Sequence, residues 1–151
     1  MTQRTPSDAD LIEVMPLILR AFRTLTAEAD KLLGRHELGR AHFRALGAIA
    51  LEPGATLGEV ITTLGVTVQA INRIMIVFHK RALIRAELDP VDRRRRRLFL
   101  TDEGQRIFDE VMAAQLTVMR HAAGVCGGDG FEAYRAFVRA LADAPPSRNA
   151  T

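Results

Sequence analysis

Five arginines in succession, Arg93 to Arg97, stand between Asp92 and the apolar run Leu98-Phe99-Leu100. A guanidinium is planar, permanently charged and rich in N–H donors, so a run of them suits phosphate oxygens and the negative potential of a polynucleotide groove. Upstream, Gln69, Asn72 and Arg73 fall close together. Their amide and guanidinium groups are those that pair with base edges, glutamine and asparagine with adenine and arginine with guanine. No nucleophile–base pair, carboxylate cluster or cofactor loop accompanies them, so neither an enzyme nor a cofactor is expected. Gly127-Gly128-Asp129-Gly130 lacks the lysine and the serine or threonine of a phosphate-binding loop and reads as a turn between helices. His36, His42, His79 and His121 never fall at i, i+4 spacing, and Cys126 is the single cysteine. A metal centre and a disulfide framework are therefore not expected, and the thiol reads as an inert small side chain.

The chain has 151 residues, 48% of them hydrophobic, which suits one folded domain. Its net charge is only +3, but the charge is unevenly placed. Residues 67 to 97 hold nine basic residues against three acidic ones, a net +6 that leaves −3 for the remainder. A cationic surface on a mildly acidic body is the distribution of a protein that meets a polyanion on one side. Arginine supplies 19 of the 21 basic residues, which favours planar, multi-donor contacts over point charges. No apolar run approaches the roughly 18 residues of a membrane span, and the polar start MTQRTPSDAD lacks the apolar region of a signal peptide. The cytoplasm is the expected compartment, with no membrane partner.

These side chains need rigid elements to hold them. Ser7 and Asp10 make a capping-box pattern, after which Leu11, Met15, Ile18, Phe22, Leu25, Ala29 and Leu32 recur at spacings of three and four until Gly34. This is one long amphipathic helix, and its stripe is either private core or a subunit interface, a choice that periodicity leaves open. Pro16 should kink the helix or move its start. A second helix is expected from about Leu38 to Leu51, closed by the turn Glu52-Pro53-Gly54-Ala55. Thr56 and Glu59 form another capping box for a short helix through Leu64, and Gly65 suits a left-handed residue in a tight turn. Beyond Thr67, a helical wheel puts Val68, Ile71, Ile74, Met75 and Phe78 on one arc and Gln69, Asn72, Arg73, Ile76, His79 and Lys80 on the opposite one. Two helices joined by so short a turn make a helix-turn-helix pattern, whose polar arc is either a solvated face or one that reaches base edges. Leu83 to Leu88 and Arg96 to Leu100 then read as strands around Asp89-Pro90-Val91-Asp92, a β-hairpin with arginines at its tip. Asp92 is expected to pair with one guanidinium and orient it.

The segment from Gly65 to Gly104 resembles the MarR family of winged-helix transcription regulators. Asp92-x-Arg94 followed by Leu100-Thr101-x-x-Gly104 matches that family's D-x-R and L-T-x-x-G wing signature in spacing. Thr67 to Arg73 sits where the family's recognition helix begins, and Pro53-Gly54-x-Thr56-Leu57-x-Glu59 resembles the start of the preceding helix. The resemblance implies a mainly α fold with a small β-hairpin wing, in one domain spanning 1–151. Within it a winged helix-turn-helix core covers 38–104, with the recognition helix at about 67–81 and the wing at about 83–100, flanked by dimerisation helices at 8–34 and 105–143. On this reading the N-terminal stripe is interface, completed by Ile107, Val111, Val118, Phe131, Phe137 and Leu141.

The same resemblance implies a homodimer on double-stranded DNA, a sequence-specific repressor released by a small-molecule signal. Thr67, Gln69, Asn72, Arg73, Ile76 and Lys80 would serve the major groove, with Ile76 beside a thymine methyl. Asp92, Arg93, Arg94, Arg95 and Arg96 would serve the wing, with Arg94 in the minor groove and Asp92 holding it. Phe22, His42 and Arg44, near the implied dimer cleft, are the candidates for a small anionic or aromatic effector, against ordinary surface and core roles. The alternative is a non-specific RNA- or chromosome-binding protein, which would use the same arginines without needing Gln69, Asn72 or Arg73.

Overall fold

The computed structural model describes residues 5–145, so the outermost residues of the expected 1–151 span lie outside it. The chain forms two compact units that divide between Gln115 and Leu116. In the first, Ser7 opens α1 (Asp8–Arg35): its hydroxyl accepts the Asp10 N–H at 3.3 Å while the Asp10 carboxylate accepts the Ser7 N–H at 2.8 Å. This reciprocal cap satisfies first-turn donors, so the helix begins there and runs on through Pro16 instead of starting at it. α2 (Arg40–Leu51) begins after Gly39, whose N–H is donated to His42 Nδ1 at 3.1 Å.

α3 (Leu57–Leu64) and α4 (Val68–Lys80) are bent by 120° to one another. The bend uses Gly65, which takes the left-handed conformation at φ 61° and returns its N–H to Ile61 O at 2.9 Å. Thr56 caps α3 through the Glu59 N–H at 3.4 Å, and Thr67 caps α4 through the Ala70 N–H at 3.2 Å. β1 (Ile84–Leu88) and β2 (Arg96–Leu100) pair antiparallel, with Ile84 opposite Leu100 and Leu88 opposite Arg96. A third extended piece, which no local pattern in the sequence announces, lies along β2. Gly54 N–H donates to Leu98 O at 2.8 Å, Leu98 N–H donates to Ala55 O at 3.0 Å, and Thr56 bridges to Arg97. The turn before α3 is thus bonded to the hairpin.

Thr101 then opens α5 (Asp102–Ala142): its hydroxyl accepts the Gly104 N–H at 3.1 Å and donates to Ala82 O at 2.7 Å. Gly104 presses so closely on the start of β1 that a β-carbon there would collide with the Leu83 carbonyl oxygen and sit 3.0 Å from the carbonyl carbon. Leucine, threonine and glycine at these spacings therefore form a clamp that seats the hairpin on the first turn of α5. The core beneath joins Ala45, Leu46 and Ile49 of α2, Ile71 and Phe78 of α4, Leu83, and Ile107 and Val111 of α5, all at most 1% exposed. α1 contributes Ala29 and Leu33 to it, whereas Leu11, Met15, Ile18 and Phe22 stay 40–62% exposed. The stripe therefore changes character along one helix, from bare to buried.

In the second unit the backbone of α5 leaves helical geometry at Gly127, with φ 71° and ψ 177°, so the expected turn is a single-residue break. Cys126 beside it is exposed. Tyr134, Phe137 and Leu141 are 49–56% exposed, and the Phe131 and Tyr134 rings stand 6.3 Å apart. Among the described residues no single helix is long and apolar enough to cross a membrane.

Candidate nucleic-acid interface

α4 buries Ile71, Ile74, Met75 and Phe78, which forces the other side of the helix outward. At 100° per residue, Gln69, Arg73, Ile76 and Lys80 form a ridge opposite the buried arc, with Asn72 and His79 beside it; all six are exposed. Ile76 is 66% exposed in the middle of this polar ridge. Val68 was expected on the buried arc and is instead 57% exposed, because the first residue of α4 lies past the edge of the core. Gln69, Asn72 and Arg73 make no side-chain hydrogen bond or ion pair among the described residues, so their donors are free for a ligand. Thr67 spends its hydroxyl on the helix cap.

The five arginines of the wing are not equivalent. Arg97 donates from Nε to Asp89 Oδ2 at 2.9 Å, and Arg95 reaches Glu59 Oε1 at 3.4 Å. The guanidiniums of Arg93, Arg94 and Arg96 have no partner among the described residues. Asp92 does not orient a guanidinium as expected. Its Oδ1 accepts the backbone N–H of Arg94 at 3.0 Å and shapes the turn, a use that short acidic side chains favour over a distant ion pair. The acids that grip guanidiniums in the arginine run are Asp89, on Arg97, and Glu59, on Arg95.

Both anchoring carboxylates are held below the ordinary range. For Glu59 the main cause is the Thr56 backbone N–H, then the Thr56 hydroxyl, with Arg95 and Arg97 adding attraction. For Asp89 it is the backbone N–H of Asp92 and then that of Val91, with Arg97 following. Arg85 is also occupied on the stem, lying over the Phe99 ring at 4.4 Å and paired with Glu87.

α4 and the hairpin share one groove of about 810 Å³, lined by Asn72, Met75 and His79 on one side and Arg94, Arg95 and Arg96 on the other. His79 lies on the polar arc of the wheel, but only the fold turns it toward the wing. The three effector candidates have separate partners. Phe22 is 52% exposed with the Arg40 guanidinium 5.2 Å from its ring centroid. His42 accepts the Gly39 N–H, and burial, followed by the nearby Arg81, pushes its pKa down. Arg44 donates to Leu64 O at 3.0 Å. Among the described residues no group of three His, Cys, Asp or Glu side chains is placed to hold a metal ion.

A helix-turn-helix with an outward polar ridge, followed by a hairpin that sets free guanidiniums along the same groove, defines a winged-helix DNA-binding protein. The chain belongs to the MarR family, whose sequence profile matches residues 36–95. It is similar to the HTH-type transcriptional regulator PetP of Rhodobacter capsulatus, 34% identical over 137 residues that cover 91% of this chain and 82% of PetP. Among solved structures it resembles MarR at 26% identity and a TM-score of 0.66, covering 93% of this chain and 94% of that one. It shares the fold of the transcriptional repressor CouR, solved bound to a 23-mer DNA duplex, at 22% identity and a TM-score of 0.66, covering 92% of this chain and 99% of that one. The protein is a DNA-binding transcriptional regulator and not an enzyme.

Proposed function

We propose that the protein acts in the cytoplasm as a homodimeric, sequence-specific repressor that leaves double-stranded DNA in response to a small molecule. The observation that carries this reading is the shared groove, which sets the unpartnered Asn72 amide of α4 opposite the unpartnered Arg94 and Arg96 guanidiniums of the wing. In the major groove, Gln69 and Asn72 pair with adenine, Arg73 with guanine, and Ile76 meets a thymine methyl, while Thr67 and Lys80 flank them at the phosphates. In the minor groove Arg94 inserts, with Arg93, Arg95 and Arg96 on the adjoining backbone and Asp92 setting the turn that carries them. The bare apolar stripe of α1 supports dimerisation, since Leu11, Met15, Ile18 and Phe22 would otherwise remain in water. The DNA-bound CouR structure supports repression by the same fold. A small anionic or aromatic effector would find the Phe22 ring with Arg40 over it, and His42 and Arg44 on the neighbouring helix.

The test starts from a random pool of duplexes selected by the purified protein, followed by fluorescence anisotropy of the winner against a scrambled duplex at about 150 mM salt. A preference of roughly a thousandfold, with the selected sequence an inverted repeat, is the expected result. Equal binding to both duplexes would replace this reading with a non-specific polynucleotide coat. Arg94→Ala should weaken the selected duplex more than Arg97→Ala, and equal losses would refute minor-groove insertion by Arg94.

A further inference from the structure

We infer that Asp89 is the positioning residue of the wing, dividing the arginine run into guanidiniums that read DNA and guanidiniums that hold the hairpin. The inference rests on the DNA-reading role proposed for the wing and adds to it the residue through which Arg93 and Arg94 act.

Among the described residues Asp89 is the one acid in the buried class, at 8% exposure, although its neighbours Leu88 and Val91 are 55% and 95% exposed. A carboxylate withdrawn from water on an otherwise open loop must be repaid by hydrogen bonds. It has three. Oδ1 accepts the Val91 N–H at 2.8 Å and the Asp92 N–H at 3.0 Å, and Oδ2 accepts Arg97 Nε at 2.9 Å. The Asp89 N–H in turn donates to Arg95 O at 3.0 Å, and the Arg95 N–H to Asp92 O at 2.9 Å. Residues 89 to 95 are therefore a closed ring of hydrogen bonds whose two ends meet on Asp89, with Pro90 presetting the first bend. No residue of this tip has a positive φ, so side-chain oxygens rather than a glycine define its shape.

Two consequences follow for the arginines. Arg93 and Arg94 leave the turn with their directions set by a backbone that Asp89 has fixed, and no acid competes for them. Arg97, although part of the same charged run, is withdrawn from the set available to phosphate. The two backbone donors hold the Asp89 carboxyl below its usual range, so the grip on Arg97 persists wherever DNA binding would be measured.

The experiment measures affinity for a duplex selected by the wild-type protein from a random pool, across about 100 to 300 mM salt, for Asp89→Asn, Asp89→Ala, Arg97→Ala and Arg94→Ala. Asparagine retains an oxygen for the two turn N–H groups but loses the charge that holds Arg97. Asp89→Asn should therefore keep the wild-type preference while its logarithmic salt slope steepens by up to roughly 0.9, one additional phosphate contact. Arg97→Ala should leave the slope unchanged, and Arg94→Ala should make it shallower by about 0.9. Asp89→Ala should lose at least tenfold of the preference, with far-ultraviolet circular dichroism reporting whether it is folded. Arg97→Ala and Asp89→Asn decide the matter if it is not. An Arg97→Ala slope as shallow as that of Arg94→Ala, or wild-type preference in folded Asp89→Ala, would overturn the inference. Failure of the wild-type protein to select any duplex would overturn the DNA-reading role itself, and the inference with it.

Discussion

Gly65 and Gly104 are required for different reasons, and alanine at each separates them. At Gly65 a β-carbon meets nothing within 4 Å, so the cost of Gly65→Ala is the left-handed backbone alone, about 1 kcal/mol. Gly104→Ala has no such conformational cost but drives a methyl into the Leu83 carbonyl, a rigid backbone group. The first turn of α5 must back away, and the bond from Thr101 N–H to Leu83 O at 3.0 Å and that from Thr101 Oγ1 to Ala82 O at 2.7 Å both lengthen or break. Each lost hydrogen bond costs about 1 kcal/mol, and overpacking adds about 1–3 kcal/mol, for a total near 3–5 kcal/mol. At about 2–4 °C per kcal/mol for a chain of this size, Gly104→Ala should melt roughly 10 °C below wild type and Gly65→Ala roughly 3 °C below. Thermal denaturation followed at 222 nm, at one fixed protein concentration, measures both. A Gly104→Ala loss no greater than that of Gly65→Ala would refute the close-approach explanation of the wing signature's glycine.

The remaining expectations concern binding, assembly and pH. Ile76→Ala should weaken a selected thymine-containing duplex about fourfold, the value of one buried methyl, and replacing that thymine with uracil should weaken wild type equally but leave Ile76→Ala unaffected. Full sensitivity of the alanine variant to uracil would put the methyl elsewhere. Replacing Met15 and Phe22 together with glutamate should reduce the sedimenting species from two chains to one, because two charges would enter the bare stripe. Since the folded-state pKa values of Glu59 and Asp89 lie below their ordinary 4.5 and 3.8, their stabilisation is complete above those values and is lost as pH falls through the lower folded ones. Urea midpoints of wild type should therefore drop below about pH 5, and Glu59→Gln should show a smaller drop over the same interval.

Much of the framework was legible because caps and turns are local. Ser7 with Asp10, Thr56 with Glu59, and Gly65 each announce a helix boundary through bonds spanning three or four residues. The strand-like contact of Gly54 and Ala55 with Leu98 was not legible, since its two sides lie more than forty residues apart and neither carries a mark of its partner. A helical wheel placed Val68 with the core because it registers angle but not where along the helix the core ends. Asp92 drew attention through its place in the family signature, while Asp89 looked like one more turn acid. Their roles separate only in three dimensions, where Arg97 on β2 comes opposite the end of β1. The α1 stripe was legible as a stripe, but its division into bare and buried halves follows from the length of the body it packs on.

The glycine-free tip bears on how such a protein can change over generations. A loop bent by a left-handed glycine ties its shape to one residue, and neighbouring substitutions readily disturb it. Here Asp89, Pro90 and Asp92 carry the bend through their own oxygens and ring, so the positions of Arg93, Arg94 and Arg96 contribute side chains but little architecture. Single nucleotide changes at those three codons can alter what the wing touches while its path stays the same. A lineage can thereby try new operators one step at a time without first passing through a misfolded wing.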